Sequence, residues 1–191
     1  MEPNDALFIV FKDKATKASV ELPAVNVKEL ATITGEWNID FQKDRGAPAS
    51  IKVSELKSWS DNADAGIKYF SGTGTYTKTI TAPAEWFTKN AALWLNLGDV
   101  KNLAEVVVNG KSLGILWKKP FHIDISSAIK PGANTVAVKV TNLWVNRLIG
   151  DAQPGVTNKI TYTTIPFYQA NSKLLPSGLL GPVQIISVSK E

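Results

Sequence analysis

Between Thr141 and Asp151 the chain carries Asn142, Trp144, Asn146, Arg147 and Asp151. An aromatic face, amides, a guanidinium fork and a carboxylate are the parts that hold hydroxyl-rich ligands. The ring stacks on C–H surfaces, and planar donors and acceptors meet paired hydroxyls. A second aromatic, Trp117, sits in Gly114-Ile115-Leu116-Trp117-Lys118-Lys119-Pro120, where a loop is expected after a strand. Trp117, Lys118, Trp144, Asn146, Arg147 and Asp151 therefore form the candidate contact set. Two other readings fit the same residues. Arg147 and Asp151 stand at i and i+4, the spacing of a helix salt bridge that supports a loop. Trp117 and Trp144 also suit interface anchors against another domain, where Trp and Arg are favoured.

Catalytic chemistry is harder to assemble. Cysteine is absent, which excludes disulfides, thiolate metal sites and a cysteine nucleophile. The single histidine, His122, rules out any two-histidine metal motif. His122 and Asp124 share a strand face, but no GxSxG elbow accompanies them. Glu105, Asp99 and Asp124 are the acids within strand patterns. Glycoside hydrolysis needs two carboxyls about 5–5.5 Å or about 6.5–9.5 Å apart. Each of these acids reads instead as a solvated strand face or a turn cap, so no catalytic residue is assigned. Asp99 or Asp40 could serve a structural calcium ion, but no DxDxDG loop is present, and no metal or other cofactor is assigned.

Charge narrows the partners. Twenty-one basic and 17 acidic residues give a net charge of +4, without a run of five like charges. That composition reads as solubility, not a nucleic-acid stripe. No apolar run approaches the roughly 18 residues of a transmembrane helix, so no membrane partner is expected. Met-Glu-Pro-Asn-Asp has neither a basic n-region nor an apolar h-region, so a signal peptide is not expected here.

The positioning elements are strands. Leu93, Leu95 and Leu97 alternate with Trp94 and Asn96, and Val136, Val138 and Val140 alternate with Ala137 and Lys139. Alternation marks half-buried strands. Asn109-Gly110 predicts a two-residue hairpin turn, which needs positive φ at both positions. Pro131-Gly132 is a second turn. Short helices are expected at Val53–Trp59, Pro83–Lys89 and Leu143–Gly150, and a single turn at Ser126–Lys130. Trp37 and Trp59 are expected in the core. Strands recurring every 8–12 residues or so indicate an all-β antiparallel sandwich, not βαβ units. Residues 31–191 are assigned to this sandwich. Residues 1–30 read as a terminal strand or hairpin of a preceding domain, or a linker, with strands at Leu7–Phe11 and Ser19–Leu22 and a linker at Pro23–Thr32.

From about Gly35 to Val188 the chain resembles the galactose-binding-like jelly roll of family 2 glycoside hydrolases. Tyr76-Thr77-Lys78-Thr79-Ile80, Leu95-Asn96-Leu97-Gly98-Asp99-Val100, Ala104 to Gly110 and Pro120 to Ile125 carry the resemblance in order. Three further stretches are similar to the C-terminal module of bacterial α-L-rhamnosidase-like proteins of family 106: Gly66 to Thr73, Thr141 to Asp151 and Leu174 to Val183. The resemblance implies a non-catalytic carbohydrate-binding or structural accessory module of a multidomain glycosidase. Its implied partners are a rhamnose- or galactose-containing oligosaccharide of plant or host origin and the parent's catalytic domain. Its implied location is periplasmic or secreted, within a longer bacterial protein. A purely structural spacer without sugar affinity and a small autonomous jelly-roll glycosidase are the rival readings.

Overall fold

The computed structural model describes residues 5–14, 16–19 and 21–190. In chain order its first strands are β1 (Val25–Thr32), β2 (Trp37–Phe41), β3 (Ser50–Val53), β4 (Thr73–Ala82), β5 (Ala91–Asn96) and β6 (Asp99–Lys101). Then come β7 (Leu103–Val108), β8 (Lys111–Leu116), β9 (His122–Asp124), β10 (Gly132–Thr141), β11 (Gly178–Gly181) and β12 (Gln184–Lys190). Two short helices interrupt them, α1 (Ala65–Lys68) and α2 (Val145–Asp151).

Alternation is realised strand by strand. Val136, Val138 and Val140 of β10 are buried, as are Ala104, Val106 and Val108 of β7 beside them. Trp37, Ile39 and Phe41 of β2 continue the same inner face. This sheet runs β3-β2-β4-β10-β7-β8. The facing sheet, β1-β12-β5-β9, contributes Leu93, Leu95 and Ile185. Both inner faces form one core cluster. Each such aliphatic side chain contributes about 1.5–3 kcal/mol when fully buried. A third, two-stranded ribbon pairs β11 with β6, and every strand pair is antiparallel. The expected all-β antiparallel sandwich is the fold observed.

Turn chemistry fixes the registers. Asn109 and Gly110 take φ of 51° and 81°, the left-handed pair that a type I′ turn requires. Asn109 does more than turn. Its Nδ2 donates to the Ala128 carbonyl at 2.8 Å, and its Oδ1 accepts from the Thr135 N–H at 2.9 Å. The hairpin tip is thereby tied to β10.

An aromatic cluster closes one end of the core. Phe41, Trp59 and Phe70 meet edge to face with centroids 4.8–5.6 Å apart, and Trp59 stacks on Tyr76 at 6.0 Å. The Tyr76 hydroxyl accepts from the Leu179 N–H at 3.0 Å. Burial pushes its phenol well above the usual tyrosine range. Tyr76→Phe leaves that N–H without a partner. A loss of about 1–3 kcal/mol in urea unfolding is expected.

The structure corrects several local expectations. Leu7–Phe11 forms no strand, and these five side chains are 67–96% exposed; no neighbouring strand pairs with them. The described residues of Ser19–Leu22 are likewise not in a strand, and residue 20 lies outside the description. The expected linker Pro23–Thr32 is instead largely β1, registered from Val25 opposite Lys190 to Thr32 opposite Gln184. The boundary between residues 30 and 31 thus falls inside a sandwich strand. Val53–Trp59 is not helical. Val53 belongs to β3 opposite Trp37, and a 3-10 turn covers Trp59–Asp61. The helix that does form, α1, starts after Asp64, whose Oδ1 accepts from the Gly66 and Ile67 N–H groups. Pro83–Lys89 yields only a 3-10 turn at Ala84–Trp86.

Candidate functional site

β10 ends at Thr141, opposite Thr73 of β4 and Leu103 of β7. β8 ends at Leu116, opposite Ala104 of β7. Trp144 and Trp117 therefore leave the same end of the six-stranded sheet, on strands separated only by β7. Both rings are open to solvent, at 63% and 70% exposure. Lys118 beside Trp117 donates to Asp5 at 2.6 Å.

The polar members of the expected set turn inward. Asn146 clasps the backbone of Leu175: its Nδ2 donates to the carbonyl and its Oδ1 accepts from the N–H, both at 2.8 Å. Arg147 and Asp151, 8% and 5% exposed, form the i,i+4 ion pair at 3.0 Å. Asp151 Oδ2 also accepts from the Ile160 N–H at 3.0 Å, the Thr161 N–H at 2.7 Å and the Thr161 hydroxyl at 2.6 Å. Burial pushes the Asp151 carboxyl up. The Thr161 and Ile160 hydrogen bonds and the Arg147 charge outweigh burial and hold it below the usual carboxylate value. Asn142 plays the same part for the neighbouring loop. Its Nδ2 donates to the Phe70 carbonyl and its Oδ1 accepts from the Gly72 N–H. These residues are struts, and they fix the segments that flank Trp144.

Arg147 and Asn142 also reach an opening beside Trp144. A cleft of about 150 Å³ lies beside Trp144, with Gln42, Arg45, Ser71, Arg147 and Thr161 in its wall. The sequence reading did not single out Gln42 or Arg45. Arg45 stands between Asp44 and Gly46, both at positive φ, of 60° and 88°. A Cβ on Gly46 would lie 3.1 Å from Arg147 Nη1 and 3.0 Å from Ile160 Cδ1. The Gly46 carbonyl in turn occupies the space a Cβ on Gly66 would need. The loop carrying Arg45 is thus seated on α1 and on the Arg147 guanidinium. A second feature absent from the sequence reading is a cleft of about 400 Å³ lined by Tyr162, Ile165 and Phe167 among others.

The acids within strand patterns are dispersed. Glu105 lies on β7, where it accepts from Ser112 at 2.8 Å and from Lys139 at 3.0 Å; these bonds lower its carboxyl despite partial burial. Asp124, on β9 of the other sheet, accepts from the Ser126 N–H at 2.8 Å. Asp99, on the ribbon, pairs with Lys101 and Lys119 at 2.8 and 3.4 Å. Burial raises the Asp99 carboxyl, and the two lysines more than offset that rise. His122 meets the Trp94 ring edge to face at 4.9 Å. Among the described residues, no group of three His, Cys, Asp or Glu side chains is placed to hold a metal ion, and no helix is long and apolar enough to cross a membrane.

No family model matches the chain. The rhamnosidase of Novosphingobium sp. PP1Y superposes with a TM-score of 0.84 and 44% identity, over 91% of this chain and 16% of that one. A Formosa agariphila protein with the provisional name beta-glucuronidase is 38% identical over 84% of this chain and 16% of its own length. The beta-glucuronidase of Ruminococcus gnavus gives a TM-score of 0.56 and 25% identity, over 88% of this chain and 29% of that one. The chain is similar to a small domain of larger glycoside hydrolases. It spans under a third of each relative, so the match concerns the domain and not the whole enzyme. The galactose-binding-like sandwich that the sequence resembles agrees with these neighbours.

Proposed function

We propose that this chain is a non-catalytic, carbohydrate-binding accessory module of a longer glycoside hydrolase similar to α-L-rhamnosidases. The observation that carries this reading is Trp144, an exposed ring held beside a cleft walled by arginine and amide groups. An aromatic face next to planar donors is the combination that grips a sugar ring. Trp117 and Lys118 leave the same sheet end and extend the surface. Asn146, Arg147 and Asp151 act chiefly through the loops they hold. A rhamnose- or galactose-containing oligosaccharide is the proposed ligand. The parent's catalytic domain is the proposed partner, in the periplasm or outside the cell.

A second reading has its own support. Leu103, Ile115, Leu143 and Leu175 are exposed at or near this end, and relatives extend far beyond the domain. An apolar surface of this kind suits packing against the remainder of a parent chain. The third reading, an autonomous glycosidase, has no support from the dispersed acids.

Alanine substitution tests the aromatic surface. Trp144→Ala and Trp117→Ala are each expected to weaken glycan binding about 2- to 10-fold, from the stacking energy of about 0.5–1.5 kcal/mol. Melting temperatures should stay unchanged, because both rings are exposed. A glycan array with melting curves checks this. Unchanged binding with lowered melting temperatures would make the two tryptophans structural.

A further inference from the structure

Two guanidiniums, of Arg45 and Arg147, line the cleft beside Trp144. Among the described residues, Arg147 forms its one ion pair with Asp151, and its Nε is buried without a hydrogen-bond partner. Asp151 balances that one charge, and its second oxygen already accepts from three donors. Arg45 lines the same cleft and has neither an ion pair nor a hydrogen bond among the described residues. Among the described residues, no aspartate or glutamate is in the cleft wall. Gln42 uses its carbonyl oxygen to accept from the Thr73 N–H at 3.2 Å, which leaves its NH₂ as a further donor.

The cleft therefore holds surplus positive charge and surplus donors. Guanidinium forks match a planar carboxylate two bonds at a time. A volume of about 150 Å³ is several times the roughly 10–15 Å³ that one bound water requires. That is room for a carboxylate and the ring atoms next to it. Trp144, exposed at the mouth, offers a face for the rest of the ring.

We propose that this cleft takes the carboxylate of a uronic acid residue within the bound glycan. The proposal rests on the carbohydrate-binding reading above and adds the sugar class. Arg45 meets the carboxylate directly. Arg147 lines the same cleft while Asp151 anchors it.

The test uses the full chain and a matched pair of ligands, trigalacturonate and the same trisaccharide with its carboxyls reduced to the neutral galactose form. Calorimetric titration should show the acid form binding about tenfold or more tightly, the scale of a charge-assisted hydrogen bond. The preference should shrink at high salt. Arg45→Gln should abolish most of the preference without moving the melting temperature, since Arg45 has no ion pair or hydrogen bond to lose among the described residues. Arg45→Lys should retain part of it. Equal binding of the two forms, or a preference unchanged in Arg45→Gln, overturns the uronate assignment and leaves the carbohydrate-binding reading intact. Binding of neither form, nor of any neutral glycan, overturns both, and the two arginines then await a carboxylate from the parent chain.

Discussion

Asp151→Ala is expected to cost about 3–5 kcal/mol in urea unfolding, the loss typical of breaking a buried ion pair from one side. Three consequences act together. Arg147, 8% exposed, loses its counter-ion. The N–H groups of Ile160 and Thr161 lose their acceptor. The segment after α2 loses the tie that closes it over the helix. Asp151→Asn should cost less, because the amide oxygen still accepts from those N–H groups. The same carboxyl makes stability depend on pH. Its folded pKa is lowered, so its contribution is complete above the ordinary carboxylate value of about 3.9. It fades as pH falls through the lower folded value. Melting curves across the acid range should therefore show wild type losing its advantage over Asp151→Asn only below about pH 4. A constant difference down to the most acid condition would mean that the carboxyl is not held ionised by its partners.

Gly178→Ala is the second large effect, expected at about 2–6 kcal/mol. Gly178 has φ of +95°, where a side chain is strained. An added Cβ would lie 2.6 Å from Tyr76 Oη and 2.9–3.0 Å from the Trp59 ring. Both rings are core residues at 1% and 3% exposure, so neither can move aside freely. Strain of about 1–3 kcal/mol and overpacking of about 1–3 kcal/mol add. Gly110→Ala is the control. Its φ is also positive, at +81°, but nothing lies within 4 Å of the added Cβ. Chemical denaturation of the pair should separate conformational strain from collision. Equal losses would mean that the ring contacts at Gly178 carry no weight.

Legibility in the sequence follows how local each cause is. The Asn109-Gly110 turn was readable because its requirement, positive φ at two adjacent positions, is met within the dipeptide. The β10 valines were readable because burial imposes a period of two on one strand. β1 was missed because Val25–Thr32 becomes a strand only by pairing with β12, more than 150 residues along the chain. A helix at Val53–Trp59 was wrongly expected because Val53 is claimed by the ladder to Trp37.

The site divides in the same way. Trp117 and Trp144 were readable as post-strand aromatics, and both are exposed. The i,i+4 spacing of Arg147 and Asp151 showed a salt bridge as one of two readings. That Asp151 also captures Ile160 and Thr161 depends on how the following loop closes, which no local spacing encodes. Arg45 was not singled out at all. It comes to the cleft because Gly46 seats its loop on Gly66 and Arg147, a contact made by the absence of side chains.

The central claim, a module that binds carbohydrate, is tested most directly by calorimetric titration of the 191-residue chain with rhamnose-containing pectic oligosaccharides and galactosides. Saturable binding that Trp144→Ala weakens is the result predicted. No heat of binding at millimolar ligand would contradict the claim and make the aromatic end a packing surface for the rest of a parent enzyme.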